Sequence, residues 1–247
     1  MKALICEKFG PPEDLMLQEI SDLVPAAGQV RIATDACGVN FPDTLIIENK
    51  YQFKPDLPFA PGGEVTGIVD AVGDGVSQDL LGQPVMCMTL SGGFAEQTIC
   101  KAEDLIARPS FMPSTVAAGF TMTYGTSMHA LKQRARLQPG ETLLVLGAGG
   151  GVGLAAVEIG KQMNATVIAA ASSAEKLNAA EDAGADHLID YSQQDLRSAL
   201  KDIVGIKGVD VVYDPVGGDM FEAALRSTAW GGRVLVVGFA SGDIPKV

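Results

Sequence analysis

One short stretch limits the folds open to this chain more than any other: Leu146-Gly147-Ala148-Gly149-Gly150-Gly151-Val152-Gly153. It follows an all-apolar run over 143–146. It opens a helical pattern over 152–163, in which Val152, Ala155, Ala156, Ile159 and Met163 share one stripe. A glycine-rich turn between a buried strand and a helix is the setting required of a dinucleotide-binding loop. In the G-x-G-x-x-G register the three key positions fall on Ala148, Gly150 and Gly153, so the first is alanine. Gly150 lets the backbone approach a pyrophosphate, and Gly153 lets the helix pack closely on the strand. The helix N-terminus adds free N–H groups and a partial positive charge. Ala148, Gly149, Gly150, Gly151, Val152 and Gly153 are therefore the candidate phosphate-contacting residues.

The pattern beyond this loop repeats. Apolar strands are predicted at 166–170, 187–189, 209–213 and 233–237, and helices at 174–183, 194–203 and 218–228. Fully apolar strands alternating with helices imply an α/β fold, a parallel sheet covered on both faces. Five strands are countable, where a doubly wound dinucleotide fold has six in the order 3-2-1-4-5-6. The second strand runs out into Ala171-Ser172-Ser173-Ala174-Glu175-Lys176. The acid that would bind a ribose 2′-hydroxyl is missing from its tip. Ser172, Ser173 and Lys176 offer hydroxyls and a positive charge where a 2′-phosphate needs them, so the cofactor expected is NADP(H).

Before residue 114 the texture differs. Short strands are expected at 2–6, 15–20, 29–36, 64–72, 84–89 and 94–100, broken by glycine turns, with a short helix at 41–49. Ser114 is the expected N-cap of a helix over 115–122, and 123–134 continues helically. The reading is two domains, 1–118 and 119–247. Thirty acids against 18 bases give a net charge of −12, which disfavours nucleic acid and anionic membrane surfaces. No apolar run reaches the ~18 residues of a membrane span, and the N-terminus does not read as a signal peptide. The four cysteines fall into no metal-knuckle spacing and read as reduced thiols of a cytoplasmic protein.

Several motifs in fixed order carry a resemblance. Cys37-Gly38-Val39-Asn40-Phe41-Pro42-Asp43 and Pro58-Phe59-Ala60-Pro61-Gly62-Gly63-Glu64-Val65-Thr66-Gly67 come first. The glycine loop, Gly184-Ala185-Asp186, the stretch from Asp210 to Gly218 and the stretch from Trp230 to Gly242 follow. Together they resemble the medium-chain dehydrogenases/reductases, and within them the zinc-free NADPH:quinone oxidoreductase, or ζ-crystallin, type. The resemblance covers essentially the whole chain. It implies a GroES-like β-domain followed by the Rossmann sheet.

It also implies site residues. Asn40 stands where zinc-dependent relatives place a cysteine ligand, and Gly63 where they place a histidine. Neither is a competent zinc ligand, so no metal is expected. The resemblance suggests Asn40 for polarising an acceptor and Tyr51 for donating a proton. Thr126, Tyr191, Val216, Gly238, Phe239 and Ala240 join the glycine loop as expected cofactor contacts. The implied activity is hydride transfer from NADPH to quinones or α,β-unsaturated carbonyls. The alternatives are a catalytically silent NADPH-binding protein and an enoyl-thioester reductase. The family's sixth strand is missing from the pattern, so the sequence resembles a member shortened at its C-terminus, without the edge through which the family dimerises.

Overall fold

The computed structural model describes residues 1–245; Lys246 and Val247, the last two residues of the predicted second domain, lie outside the described residues. The chain divides into two compact units, Met1–Met122 and Thr123–Val247. The sequence pattern places this boundary at 118/119, four residues earlier.

In the first unit β1 (Lys2–Ile5) pairs antiparallel with β2 (Met16–Glu19). The main sheet holds β3 (Gln29–Gly38), β4 (Glu64–Val72), β5 (Pro84–Met88), β6 (Gln97–Lys101) and a two-residue β7 (Ile106–Ala107). Its order is β6-β3-β4-β5-β7, antiparallel throughout. Side chains alternate across a strand, and the buried set Val30, Ile32, Val65, Val69, Val85, Cys87 and Cys100 packs into one cluster. The single α-helical segment between β3 and β4 is α1 (Phe41–Ile47). It buries Ile46 and Ile47 with Cys6 and Phe59. Gly62, Gly75, Gly82 and Gly92 adopt positive φ, as a turn requires, whereas the neighbouring Gly63, Gly73 and Gly93 do not.

Ser114 is not an N-cap. It is the first residue of α2 (Ser114–Ala117), and Pro113 precedes it as the cap. The Ser114 hydroxyl instead donates to Asp35 at 3.1 Å and accepts from Arg108, so a side-chain network outcompetes the helix end for it.

The helical stretch after α2 is α3 (Thr121–Met128), continued as a π-helical turn over His129–Arg134. In the second unit β8 (Thr142–Leu146), α4 (Gly151–Gln162), β9 (Thr166–Ala171), α5 (Ala174–Asp182), β10 (His187–Asp190), α6 (Leu196–Val204), β11 (Val209–Asp214), α7 (Gly218–Arg226) and β12 (Thr228–Val236) alternate. The sheet is parallel in the order β10-β9-β8-β11-β12. Renumbered by first appearance, that is 3-2-1-4-5, the order of a doubly wound dinucleotide fold. Leu143, Val145, Val167 and Ala169 face one core, while Leu144, Leu146, Ile168 and Ala170 face another. Both faces are covered, which is why 143–146 and 167–171 are apolar at every position.

The fifth strand starts earlier than 233. Thr228 pairs with Val209, the register slips, and regular pairing resumes at Arg233 opposite Val211. Gly231, at φ 78°, sits inside this irregularity. The glycines of Trp230-Gly231-Gly232 serve this bulge.

Candidate functional site

The first cluster lies at the carboxyl ends of β8, β9, β11 and β12, all in the second unit. The glycine loop spans the step from β8 to α4. Gly147 turns the chain at φ 58°. The Gly150 N–H donates to the Gly147 carbonyl at 3.0 Å, and Leu154 donates to the Gly150 carbonyl at 2.8 Å, closing the first turn of α4. A Cβ at Gly153 would lie 2.3 Å from the Gly147 oxygen and 2.9 Å from the Ala148 Cα. Only glycine allows the helix to start this close to the strand. A Cβ at Gly149 would lie 2.4 Å from the Lys176 Cβ. The loop thus presents bare backbone on a helix N-terminus, a cradle suited to phosphates.

Lys176 is brought to this loop by the cap of α5. Ser173 is the N-cap residue, its hydroxyl accepting from the Lys176 N–H at 3.4 Å. The Lys176 ammonium reaches back to the Ser172 hydroxyl at 3.2 Å. Ser172, Ser173 and Lys176 therefore form one polar cluster beside Gly149. Tyr191 is anchored nearby, its N–H donating to the Ala171 carbonyl at 3.1 Å at the end of β9.

On the other side of the loop, a Cβ at Gly147 would lie 2.9 Å from a Val216 methyl. The segment after β12 lies against the turn after β11. Val237 and Ala240 donate to the Asp214 and Pro215 carbonyls at 2.8 and 3.0 Å, and Phe239 packs on Gly217. Val216 thus lies beside the glycine loop, and Gly238, Phe239 and Ala240 gather on the turn that carries it. Thr126 stands on α3 and lines a cleft of about 680 Å³ with His129, Ala130, Arg134 and the residues from Val234 to Val237.

Three buried polar side chains support this end of the sheet. The Asp214 Oδ1 accepts from the Val216 and Gly217 N–H groups at 2.7 and 2.9 Å, making it a turn acid. Its Oδ2 has no hydrogen-bond partner, and burial pushes the carboxyl above its ordinary range. The Ser127 hydroxyl donates to the Val152 carbonyl at 2.9 Å, so the Tyr213 hydroxyl, 2.9 Å away, donates to Ser127. Burial pushes Tyr213 up to about 12, so it stays a donor. This Tyr213–Ser127–Val152 chain steadies the start of α4 and is invisible in the sequence, where Ser127 and Tyr213 lie 86 residues apart.

The second cluster belongs to the first unit. Asn40 precedes α1, and its backbone N–H donates to the Asp43 carboxylate at 2.8 Å. Its side-chain Nδ2 donates to the Glu64 Oε2 at 2.9 Å. Glu64 is only 1% exposed, and its Oε1 accepts from the Met122 N–H at 2.8 Å. Burial raises the neighbouring Asp43 carboxyl and pushes the Cys37 thiol up to about 12. Gly63 contributes no side chain at all. Among the described residues there is no group of three or more His, Cys, Asp or Glu side chains able to hold a metal. Tyr51 is half-buried and packs against the cluster of Cys6, Ile46, Ile47 and Phe59.

The fold and this loop define a two-unit dehydrogenase/reductase, a GroES-like β-unit followed by a dinucleotide-binding sheet. Residues 26–110 match the alcohol dehydrogenase GroES-like domain, and residues 151–247 match the zinc-binding dehydrogenase domain. A rat quinone oxidoreductase-like protein 2 is 41% identical over 247 residues, all of this chain and 70% of the relative. The structure of a quinone oxidoreductase from Pseudomonas syringae is 32% identical with a TM-score of 0.94, covering 100% of this chain and 76% of that one. That of the Escherichia coli quinone oxidoreductase complexed with NADPH is 32% identical with a TM-score of 0.92 and the same coverage. The chain belongs to the quinone oxidoreductase family of medium-chain dehydrogenases/reductases.

Proposed function

We propose that this chain is an NADPH-dependent reductase that passes a hydride to quinones or α,β-unsaturated carbonyls without zinc. The observation that carries the reading is the placement of Ser172, Ser173 and Lys176 beside Gly149. A 2′-phosphate there meets an ammonium and two hydroxyls, while the pyrophosphate meets the start of α4. Thr126, Tyr191, Val216, Gly238, Phe239 and Ala240 complete the proposed cofactor contacts. NADPH, when bound, supplies the hydride. The acceptor gains negative charge on oxygen, and a protein donor is needed there. Asn40 fills that role with an amide N–H. Tyr51 then supplies a proton to an enone-derived enolate, whereas a hydroquinone anion takes its proton from water.

The absence of zinc in this reading rests on side-chain chemistry. Asn40 is a neutral amide already bonded to Glu64, Gly63 has no ligand atom, and the Cys37 thiol is held protonated. The family also includes relatives named only as quinone oxidoreductase-like, and a silent NADPH-binding role is the competing outcome.

The test follows NADPH absorbance with benzoquinone and with a small enone, beside a direct measurement of NADPH affinity. Turnover of either acceptor supports the reductase; tight NADPH binding without turnover of both refutes it. Tyr51→Phe keeps the ring packed on Ile46 and Ile47 and removes only the hydroxyl. It slows the enone much more than the quinone; an equal effect on both substrates reduces Tyr51 to a packing residue.

A further inference from the structure

Glu64 is a charged side chain with 1% exposure, and the reaction proposed above gives it no task. Burying a carboxylate costs several kcal/mol unless its oxygens are satisfied. Here both are, by one backbone and one side-chain donor: Met122 N–H on Oε1 and Asn40 Nδ2 on Oε2. Space for it is made by Gly38, where a Cβ would lie 2.9 Å from the Glu64 Oε2 and 2.1 Å from the Ala118 carbonyl oxygen. The arrangement is specific in register too, since Gly38 is the strand partner of Glu64.

We propose that Glu64 is the positioning residue for Asn40, holding its amide nitrogen in place and polarising it as the donor to the acceptor's oxygen. The inference rests on the assignment of Asn40 to that oxygen. Its logic is one of donors and acceptors. A carboxylate accepts only, so the amide must turn its NH2, not its oxygen, toward Glu64. One N–H is spent on Glu64. The second is the donor that remains, and the charge-assisted bond behind it strengthens it.

Glu64→Gln, of the same size, inverts this. The Met122 N–H retains the glutamine oxygen, so the glutamine NH2 faces the Asn40 NH2. Two donors then oppose each other, and the Asn40 amide must rotate or lose its partner. Asn40→Asp produces the opposite conflict, two carboxyl groups at hydrogen-bond distance. The double variant Asn40→Asp with Glu64→Gln restores one donor facing one acceptor, but leaves no N–H for the acceptor's oxygen.

The experiment is a double-mutant cycle on the full chain. It reads kcat and KM for benzoquinone, NADPH affinity, melting temperature and the Asn40 side-chain amide resonances by NMR. Glu64→Gln lowers kcat about tenfold to a hundredfold, the range for losing one charge-assisted hydrogen bond. It leaves NADPH affinity unchanged and shifts the Asn40 amide protons. In an Asn40→Ala background the same change costs no further activity. The charge-swapped pair recovers the melting temperature lost by Asn40→Asp but not the rate. The proposal is overturned if Glu64→Gln leaves kcat and the Asn40 resonances within error of the unsubstituted chain, or if it costs the same factor with and without Asn40. If Asn40→Ala itself leaves kcat unchanged, the assignment of Asn40 fails. The stability cycle and the NMR shift then still report whether Glu64 holds it.

Discussion

Gly150→Ala separates a contact with the cofactor from a contact within the protein. Gly150 has φ −89° and ψ 167°, a backbone conformation open to alanine. A Cβ there meets only the Gly147 carbonyl oxygen, at 3.4 Å, an ordinary van der Waals distance. The free protein therefore tolerates the methyl group, and the melting temperature stays within about a degree. Bound pyrophosphate does not tolerate it, if the backbone of this residue approaches the phosphates as the loop register implies. Overpacking a close contact costs ~1–3 kcal/mol, which weakens NADPH binding by about 5- to 150-fold at 1.4 kcal/mol per decade. Gly153→Ala is the control of opposite character. Its Cβ would meet backbone at 2.3 Å, and backbone cannot swing aside. That variant loses stability, a melting temperature lower by several degrees at ~2–4 °C per kcal/mol. Calorimetric titration with NADPH and thermal unfolding read both. Unchanged NADPH affinity in a stably folded Gly150→Ala refutes the assignment of this loop to the pyrophosphate.

Two further outcomes follow from the second unit. Lys176→Ala keeps the Cβ that packs on Gly149 and removes the ammonium beside Ser172. NADPH affinity falls about tenfold or more while NADH affinity is unchanged, measured by fluorescence titration; equal losses for both remove Lys176 from the 2′-phosphate. Arg233 forms a forked pair with Glu141 at 2.8 and 2.6 Å and holds its carboxyl below the ordinary range. A depressed folded pKa adds stability above the unfolded value of ~4.3, and that stability is lost as the pH falls through the folded value. Glu141→Gln therefore costs about 1 kcal/mol at neutral pH and little in strong acid, as denaturant titrations at the two pH values show; a pH-independent cost refutes the ionic contribution.

The parallel sheet was legible because its physics leaves a plain trace. Strands buried on both faces are apolar at every position, and Leu143 to Leu146 or Val167 to Ala171 admit few other readings. The loop was legible because a Cβ at Gly153 would lie 2.3 Å from the Gly147 carbonyl oxygen, so that position admits only glycine. What stayed hidden depended on distant partners. Ser114 has the chemistry of an N-cap, but Asp35 and Arg108 claim its hydroxyl. The early start of β12 depends on Val209 offering Thr228 a pairing partner across a bulge. Ser127 is buried without any local pattern to announce it, because its reason is Tyr213. The pairing of Glu64 with Asn40, 24 residues away, depends on β4 running beside β3. Residue types named the chemistry available; only the fold showed which groups meet.

The proposal that the chain works without zinc rests on the same chemistry. A catalytic zinc needs three protein ligands with lone pairs to spare and leaves one position open. In the first unit the amide of Asn40 is committed to Glu64, and position 63 is bare backbone. Cys37, with a thiol pushed up to about 12 by burial, would have to lose a proton that its surroundings retain. Asp43 is occupied by the Asn40 N–H, and burial favours its neutral form. Assembling a metal site from these groups would break the Asn40–Glu64 bond and leave the buried Glu64 Oε2 without its side-chain donor. Prolonged treatment with a chelator should therefore leave the NADPH oxidation rate unchanged, and elemental analysis of the purified chain should find zinc well below one per chain. Stoichiometric zinc whose removal abolishes turnover would show that these groups rearrange to bind it, and would remove Asn40 from the role of donor.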